Sequence, residues 1–298
     1  MSEALERNAL ERWRREPLQF ITEILRNPKT GQPFALFDAQ RQFLSHAWRT
    51  DGDGRLLYPE QCLGMIKKTG KTGTAAMHVL TTTLVYGGRY AEAYCVANDF
   101  DQAQGRVFTA IRQICESSPL LRREADITAN RITFPQTGAV IQAIGSDYAS
   151  AAGAYPSIAS FDELWGYQTE RARRLFDELI PVPTQRISCR LTTTHAGYTG
   201  DSALLEEMYK RGLALPEIAP GLRAGDHLLF YWSHEPLAPW QTAEWLAEMR
   251  QITRPVQYLR QFENRFTLAS TPSHTATRLS ASSGVALDRR IDQTTRDR

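Results

Sequence analysis

Residues 61–73, QCLGMIKKTGKTG, constrain this chain more than any other stretch. A short apolar run breaks into a basic, glycine-punctuated turn ending in Gly70-Lys71-Thr72, and a helix-like segment follows. That order of strand, turn and helix start is a phosphate cradle, because the free backbone N–H groups of a helix N-terminus point at an anion. Gly70 lets the backbone approach phosphates, Lys71 reaches β and γ oxygens as a point charge, and the Thr72 hydroxyl can ligate Mg²⁺. The spacing departs from G-x-x-x-x-G-K-[ST]: the nearest upstream glycine, Gly64, stands one residue too far away, and position 65 is Met. Read in isolation, the segment also fits a lysine-bearing surface turn.

A second site raises the nucleotide reading. Ser157–Phe161 is an apolar strand that runs directly into Asp162-Glu163. Hydrolysis of a nucleoside triphosphate needs one carboxylate for the metal and another acceptor for the attacking water. Asp162 is expected to orient hydrated Mg²⁺ beside Thr72, and Glu163 to polarise the water. The competing reading is that the two acids cap the next helix, where the dipole favours negative charge. A parallel sheet can bring both motifs to one edge, where ligands of such folds sit, and together they point to hydrolysis of ATP or GTP. Thr192, Thr193 and Thr194 end the strand after the acidic one. Their hydroxyls are placed to meet a γ-phosphate or the Glu163 carboxylate, or are a β-branched strand end. Gln40 is a candidate adenine reader, since an amide both donates and accepts; otherwise it is an exposed helix residue. His195 has neither a serine nucleophile nor a second histidine near it in sequence and is read as structural.

The order of elements is α/β. An N-terminal helical segment over residues 1–55 holds an amphipathic helix starting at Pro17, and a further helix is capped by Asp38. From residue 56 strands and helices alternate: strands at Cys62–Ile66, Ala91–Ala97, Ser157–Phe161, Ile187–Thr193 and His227–Trp232, a hairpin of Arg131–Phe134 with Ala139–Ile144, and helices at Thr72–Tyr86, Asp99–Ser117, Thr169–Leu179 and Pro239–Arg250. Residues 267–298, rich in Ser, Thr, Ala and Arg, are expected to be disordered. With 298 residues, 42% hydrophobic, 23% charged and a net charge of +2, the chain is an ordinary globular protein with no general electrostatic case for nucleic acid. A DNA contact would have to come from a local patch such as Arg171, Arg173 and Arg174, or these are a solvated helix face. Cys62, Cys95, Cys115 and Cys189 lack C-x-x-C spacing, which argues against a zinc site or disulfide framework and for a reducing compartment. No run of about 18 apolar residues is present, nor a secretory leader.

Several segments together resemble one family, the large terminase subunit of tailed bacteriophages, in its N-terminal packaging ATPase. They are FDAQRQFL (37–44), IKKTGKTGTAA (66–76), AYCVANDFDQAQGRVF (93–108), SAAGAYPSIASFDELW (150–165), LTTTHAG (191–197) and YLRQFENRF (258–266). The resemblance accounts for the missing glycine, because phosphate loops of that family read basic-basic-x-G-K-[ST]. It implies an α/β P-loop NTPase of the additional-strand, RecA-like class, with a mostly parallel central sheet flanked by helices and a linker subregion from about residue 213 to 266. It implies that Lys67, Lys68, Thr69, Gly70, Lys71, Thr72 and Gly73 hold ATP with Mg²⁺, Lys67 or Lys68 acting as a second phosphate-contacting base, with Gln40 at the adenine. Thr72 and Asp162 hold the metal, Glu163 and Lys71 carry the chemistry, and Thr192–Thr194 couple hydrolysis to DNA movement. Its partners would be double-stranded DNA, a portal protein, the small terminase subunit and further copies of itself in a ring, in the host cell cytoplasm. A trans-acting arginine cannot be assigned, Arg106 and Arg112 being possibilities. The family normally continues into a nuclease domain, whereas residues 267–298 are too few for one, so a truncated or shifted frame near Thr267 is the expectation. A helicase-like remodelling ATPase, or a non-catalytic nucleotide- and DNA-binding fragment, are the competing functions.

Overall fold

The computed structural model describes residues 3–96, 105–145 and 153–268, with side chains from Asn8 onward. Three helices come first, α1 (Glu3–Arg15), α2 (Pro17–Glu23) and α3 (Asp38–Ala47). Strand β1 (Glu60–Gly64) then leads through the basic turn into α4 (Lys71–Thr81), which closes in a π-helical turn at Thr82–Tyr86. Next come β2 (Glu92–Val96), α5 (Arg106–Ser117), α6 (Pro119–Glu124), β3 (Asp126–Ile127), β4 (Arg131–Phe134), β5 (Ala139–Ile144), β6 (Ile158–Asp162), α7 (Glu170–Glu178) and β7 (Cys189–Thr194). The chain continues through β8 (Tyr198–Thr199), α8 (Ala203–Ala214), β9 (Glu217–Ala219), β10 (Leu222–Gly225), β11 (Leu228–Trp232), α9 (Ala243–Ile252), α10 (Pro255–Phe262) and β12 (Thr267–Leu268).

Ten of these strands form one sheet in the order β3-β4-β5-β2-β6-β7-β1-β11-β10-β9. Its six central strands, β5 to β11, are parallel, and antiparallel hairpins extend both edges. Parallel strands buried on both faces must be apolar on both, and β11 (LLFYW) and the first four residues of β6 (IASF) are fully buried. Strand alternation assigns each side chain to a face: Leu63, Leu229 and Tyr231 join a core with α2, α3, α4 and α5, while Cys62, Leu228, Phe230 and Trp232 join one with α7 and α8. Each such aliphatic side chain contributes roughly 1.5–3 kcal/mol on burial. The N-terminal helices share the first core, through Phe20, Ile21, Leu25, Phe43 and Leu44, and so pack directly on the sheet.

Strand β7 lies between β1 and β6, which is the additional-strand arrangement. The hairpin of β4 with β5 forms as expected. Other boundaries move for identifiable reasons. β1 ends at Gly64, two residues before the expected Ile66, because the Met65 and Ile66 carbonyls turn toward the Lys71 ammonium. Asp38 lies inside the first turn of α3; Phe37 is the N-cap, and its N–H is taken by Gln40 Oε1 at 3.3 Å. The helix expected from Pro239 starts at Ala243, where the Thr242 hydroxyl accepts from Trp245 N at 3.2 Å. The start of the helix expected at Asp99 lies outside the described residues, as does the tail expectation from residue 269 onward. Thr267 and Leu268 pair with Tyr198 and Thr199. All four cysteines are free and buried, and no described helix is long and apolar enough to cross a membrane.

Candidate nucleotide site

The phosphate-loop residues, the two acids and the threonines meet at the C-terminal ends of β1, β6 and β7, the edge where ligands of open α/β sheets bind. Strand β7 joins the two motifs by backbone hydrogen bonds: Met65 N donates to Thr194 O at 3.1 Å, and Glu163 N to Thr193 O at 2.6 Å. A cleft of ≈ 1060 Å³ opens over this edge, lined among others by Lys67, Lys68, Gly70, Lys71, Thr72 and Glu163.

Gly70 caps α4 with φ +90°, a left-handed conformation that costs a side-chain-bearing residue energy. A Cβ there would point between Trp240 Cζ2 at 3.7 Å and Gln40 Nε2 at 3.8 Å. Gly64 has a different task. It closes β1, and a Cβ on it would fall within the Trp232 ring, so this glycine serves sheet packing rather than phosphate approach. Lys71 is buried, its ammonium donating to Met65 O at 2.9 Å and Ile66 O at 3.1 Å, and burial lowers its pKa against the opposing pull of Glu163 and Asp162. The Thr69 hydroxyl donates to Ile66 O at 2.7 Å, folding the loop on itself. Thr72 and Gly73 stand in the first turn of α4, where N–H groups have no intrahelical acceptor. Lys67 and Lys68 both line the cleft, and Lys68 adopts φ +68°.

Asp162 and Glu163 are adjacent but differently held. Asp162 ends β6, and its Oδ1 accepts from the Thr193 hydroxyl at 2.8 Å. Burial, with the Glu163 charge beside it, pushes its pKa up to about 6. Glu163 turns out of the strand at φ +56°, which breaks the two-faced alternation of a strand. Its Oε2 accepts from Trp165 Nε1 at 2.7 Å and lies 2.6 Å from His195 Nδ1. Burial pushes the Glu163 pKa up, but His195, Lys71 and the indole N–H outweigh it and hold the carboxylate down at about 2. Burial lowers the pKa of His195 itself against the pull of Glu163, so Lys71 is the firmer source of positive charge. Glu163 occupies the N-cap position of a short 3-10 helix at Leu164–Gly166 but makes no side-chain capping bond there, and the next α-helix, α7, is capped by Thr169, whose hydroxyl accepts from Ala172 N at 3.2 Å.

The threonines divide their roles. Thr193 meets Asp162, Thr194 donates to His195 O at 2.8 Å, and the buried Thr192 hydroxyl has no hydrogen-bond partner among the described residues. None of the three hydroxyls bonds Glu163; the side chain nearest its Oε2 besides Trp165 is His195, read from sequence as merely structural, in a 2.6 Å contact that is not aligned as a hydrogen bond. The missed signal was its position directly after the threonines at the end of the strand beside β6. Gln40 is buried rather than exposed, and both ends of its amide are engaged, Oε1 by Phe37 N and Nε2 with Thr74 Oγ1 at 2.8 Å. Arg106 lines the cleft of its own chain, whereas Arg112 lies 4.0 Å from Glu116 on α5. In the Arg171, Arg173 and Arg174 patch, Arg174 pairs with Glu170 at 3.0 Å.

Sequence reasoning also missed the brace on the loop. Gln241 Nε2 donates to Lys67 O and to Thr69 Oγ1, each at 3.1 Å, and Trp240 Nε1 to Lys68 O at 2.8 Å. From α10, Gln261 O accepts from Lys67 N at 2.6 Å, and Gln261 Oε1 from Lys67 Nζ at 3.2 Å. Beneath Trp165 the buried Arg260 guanidinium stacks 4.2 Å from the indole and 4.5 Å from the Tyr198 ring. As donors, the Thr72 hydroxyl and the Asp162 carboxylate are hard oxygens of the kind Mg²⁺ takes, with several positions left to water and phosphate. Among the described residues no group of three or more His, Cys, Asp or Glu could hold a metal ion.

A family model described as the terminase large subunit, ATPase domain, matches residues 37–210. No curated protein matches the sequence. Among solved structures, the large terminase of bacteriophage HK97 superposes with a TM-score of 0.63 at 16% identity, over 83% of this chain and 54% of that one. A large terminase from a thermophilic bacteriophage, in complex with ADP, gives 0.55 at 13% identity, over 79% and 54%. The large terminase ATPase domain of Thermus phage P74-26 gives 0.54 at 13% identity, over 78% of this chain and 95% of that domain. The chain thus spans about half the length of the whole large terminases it matches and most of the isolated ATPase domain. With more than half of its residues inside the family model and the additional-strand sheet built around β7, the chain belongs to the terminase large subunit ATPase domain family.

Proposed function

We propose that this chain hydrolyses ATP to drive double-stranded DNA into a viral procapsid. The observation that carries the reading is the convergence of Lys71, Thr72 and Glu163 on one cleft at the ends of β1 and β6, with Asp162 immediately before Glu163 at the end of β6 and both motifs tied together through β7. In this mechanism Lys71 exchanges its two carbonyl acceptors for β and γ oxygens, and the N–H groups at the start of α4 face the phosphates. Lys67 and Lys68 add positive charge at the mouth of the loop. Glu163 is the general base: Trp165 bonds its Oε2, His195 Nδ1 stands 2.6 Å from the same oxygen, and Oε1 receives the proton of the attacking water. Its low pKa keeps it ionised at neutral pH. Asp162 and Thr72 would hold Mg²⁺, which when bound neutralises charge on the phosphate oxygens. Thr193 ties Asp162 to β7, from which the chain passes through His195 to Ala196, whose N–H is bonded by Asn264 Oδ1 at 2.7 Å. That path couples the hydrolytic centre to the segment after α10. Gln40 stands at the base end of the loop. The portal, the small terminase subunit and a ring of identical copies are the partners this function requires.

The test is steady-state ATPase turnover with Mg²⁺, with and without double-stranded DNA. Glu163→Gln should bind ATP as the wild type does while turnover falls roughly 10²–10⁴-fold, the range for loss of a general base. Lys71→Ala should lose binding and turnover together. Ordinary turnover in Glu163→Gln would remove that residue from the mechanism, and DNA-stimulated turnover in the wild type would favour a motor over a free-standing ATPase.

A further inference from the structure

Trp240 is a large apolar side chain that is 56% exposed yet held in place. Its indole N–H is bonded to Lys68 O in the phosphate loop, and Phe37 packs edge-on at 6.1 Å between centroids. The next residue, Gln241, is buried, and its Oε1 accepts from Leu237 N and Ala238 N at 3.0 Å each while its Nε2 grips the loop. An exposed tryptophan fixed in this way gains little from burial; what it offers is a rigid π-face at the wall of the cleft that holds Gly70, Lys71 and Thr72.

The sheet order says which end of a nucleotide lies there. Strands run β6-β7-β1-β11 across the site. Glu163, which marks the reacting γ-phosphate, follows β6 on one side of the loop, whereas Trp240 follows β11 on the other. A triphosphate laid across Gly70 and Lys71 with its γ end toward Glu163 carries its ribose and base to the Trp240 side. Gln40 sits on that side as well, 3.8 Å from the Cβ position of Gly70, but its amide is engaged at both ends. One lone pair and one N–H of the Gln40 amide are already used and its side chain is buried, whereas the exposed Trp240 face can stack on a base with no rearrangement.

We propose that Trp240 is the platform on which the nucleobase stacks. This inference rests on the nucleotide reading of the cleft. It is tested by calorimetric titration of the wild type, Trp240→Leu, Trp240→Phe and Lys71→Ala with ADP and with inorganic pyrophosphate, which lacks a base, both with Mg²⁺. Wild type should bind ADP more tightly than pyrophosphate. Trp240→Leu should weaken ADP about tenfold more than it weakens pyrophosphate, or ~1.4 kcal/mol; Trp240→Phe, which keeps a ring but loses the N–H to Lys68 as Leu does, should retain most of the ADP affinity. Equal losses for both ligands in Trp240→Leu would make the residue only a brace for Lys68 and overturn the platform. ADP binding no tighter than pyrophosphate, with both lost in Lys71→Ala, would overturn the platform while the phosphate loop stands. Binding of neither ligand, or binding indifferent to Lys71→Ala, would remove the nucleotide reading and the platform with it.

Discussion

His78 makes the frame of the phosphate loop sensitive to acid. It lies on the buried face of α4, with Nε2 2.7 Å from Gln61 Oε1 on β1 and Nδ1 3.1 Å from Thr82 Oγ1, which in turn accepts from Trp48 Nε1 at 2.8 Å. Gln61 Nε2 donates to Ala47 O at 2.8 Å, so one polar network registers β1, α3 and α4, the elements around the loop. Burial pushes the imidazole pKa down from its ordinary 6.5 to about 3. Between those values the unfolded chain binds a proton that the folded chain does not, so stability rises with pH across this window and is lost as pH falls. From pH 7 to pH 5 the loss is about 2 kcal/mol, obtained by letting the unfolded imidazole titrate while the folded one stays neutral. That figure holds as long as the folded pKa lies below about 4.

The assay is urea unfolding of wild type and His78→Gln at pH 7 and pH 5, comparing the pH effect within each protein. Other groups titrate over the same interval; Asp162, raised to about 6, acts with the opposite sign because its folded state takes up the proton first. The difference between the two proteins isolates His78. Gln keeps a donor toward Gln61 and cannot ionise, so the variant should lose about 2 kcal/mol less than the wild type between the two pH values. Identical pH effects in the two proteins would refute the reasoning.

Two further substitutions separate positioning from packing. His195→Ala should lower turnover at unchanged ADP affinity, with partial rescue by His195→Asn, whose amide can still donate to Glu163 Oε2; equal turnover in both variants and the wild type would dismiss the contact. Gly64→Ala forces a methyl into the Trp232 ring and should destabilise the fold by roughly 1–3 kcal/mol, read by thermal unfolding, and an unshifted melting temperature would show that β1 and β11 can part without cost.

The parts of this site that the sequence made legible are those whose chemistry is local. Gly70-Lys71-Thr72 reads as a loop because glycine, lysine and hydroxyl act through neighbouring backbone, and Asp162-Glu163 reads as a site because an apolar strand does not end in two acids without cost. Partners contributed by distant segments were not legible. Trp240, Gln241, Arg260 and Gln261 belong to a stretch whose helical pattern is ordinary, and only the fold brings it against residues 67–70. His195 was passed over because a lone histidine is usually structural; its contact with Glu163 arises from the pairing of β7 with β6, which places Asp162 opposite Thr193. Gly64 misled in the other direction, since a glycine near a phosphate loop invites a phosphate role while its actual neighbour is an indole ring.

Under the proposed function, the way the loop is held bears on how hydrolysis would do mechanical work. Lys67 is bonded to α10 through its backbone N–H and its ammonium, both to Gln261, and its carbonyl is bonded to Gln241. A side chain so placed cannot turn toward a phosphate without exchanging its bond to Gln261 Oε1, and that amide also donates to Gln257 Oε1 at 3.2 Å. Gln257 accepts from the Arg260 guanidinium at 3.0 Å, and Arg260 stacks on the indole that holds Glu163. The circuit from Lys67 through α10 back to Glu163 is therefore closed by side chains in contact, most of them polar. Electrostatic change at the phosphates acts on both ends of it at once. Helix α10 is also joined to the sheet by Asn264 just beyond it, which bridges Ala196 N and Ser233 O. Displacing α10 would exchange the buried bonds of Arg260 and Asn264 as well as the contacts of Gln261, so under the proposed function the circuit holds Lys67 and Glu163 in register until charge at the phosphates changes.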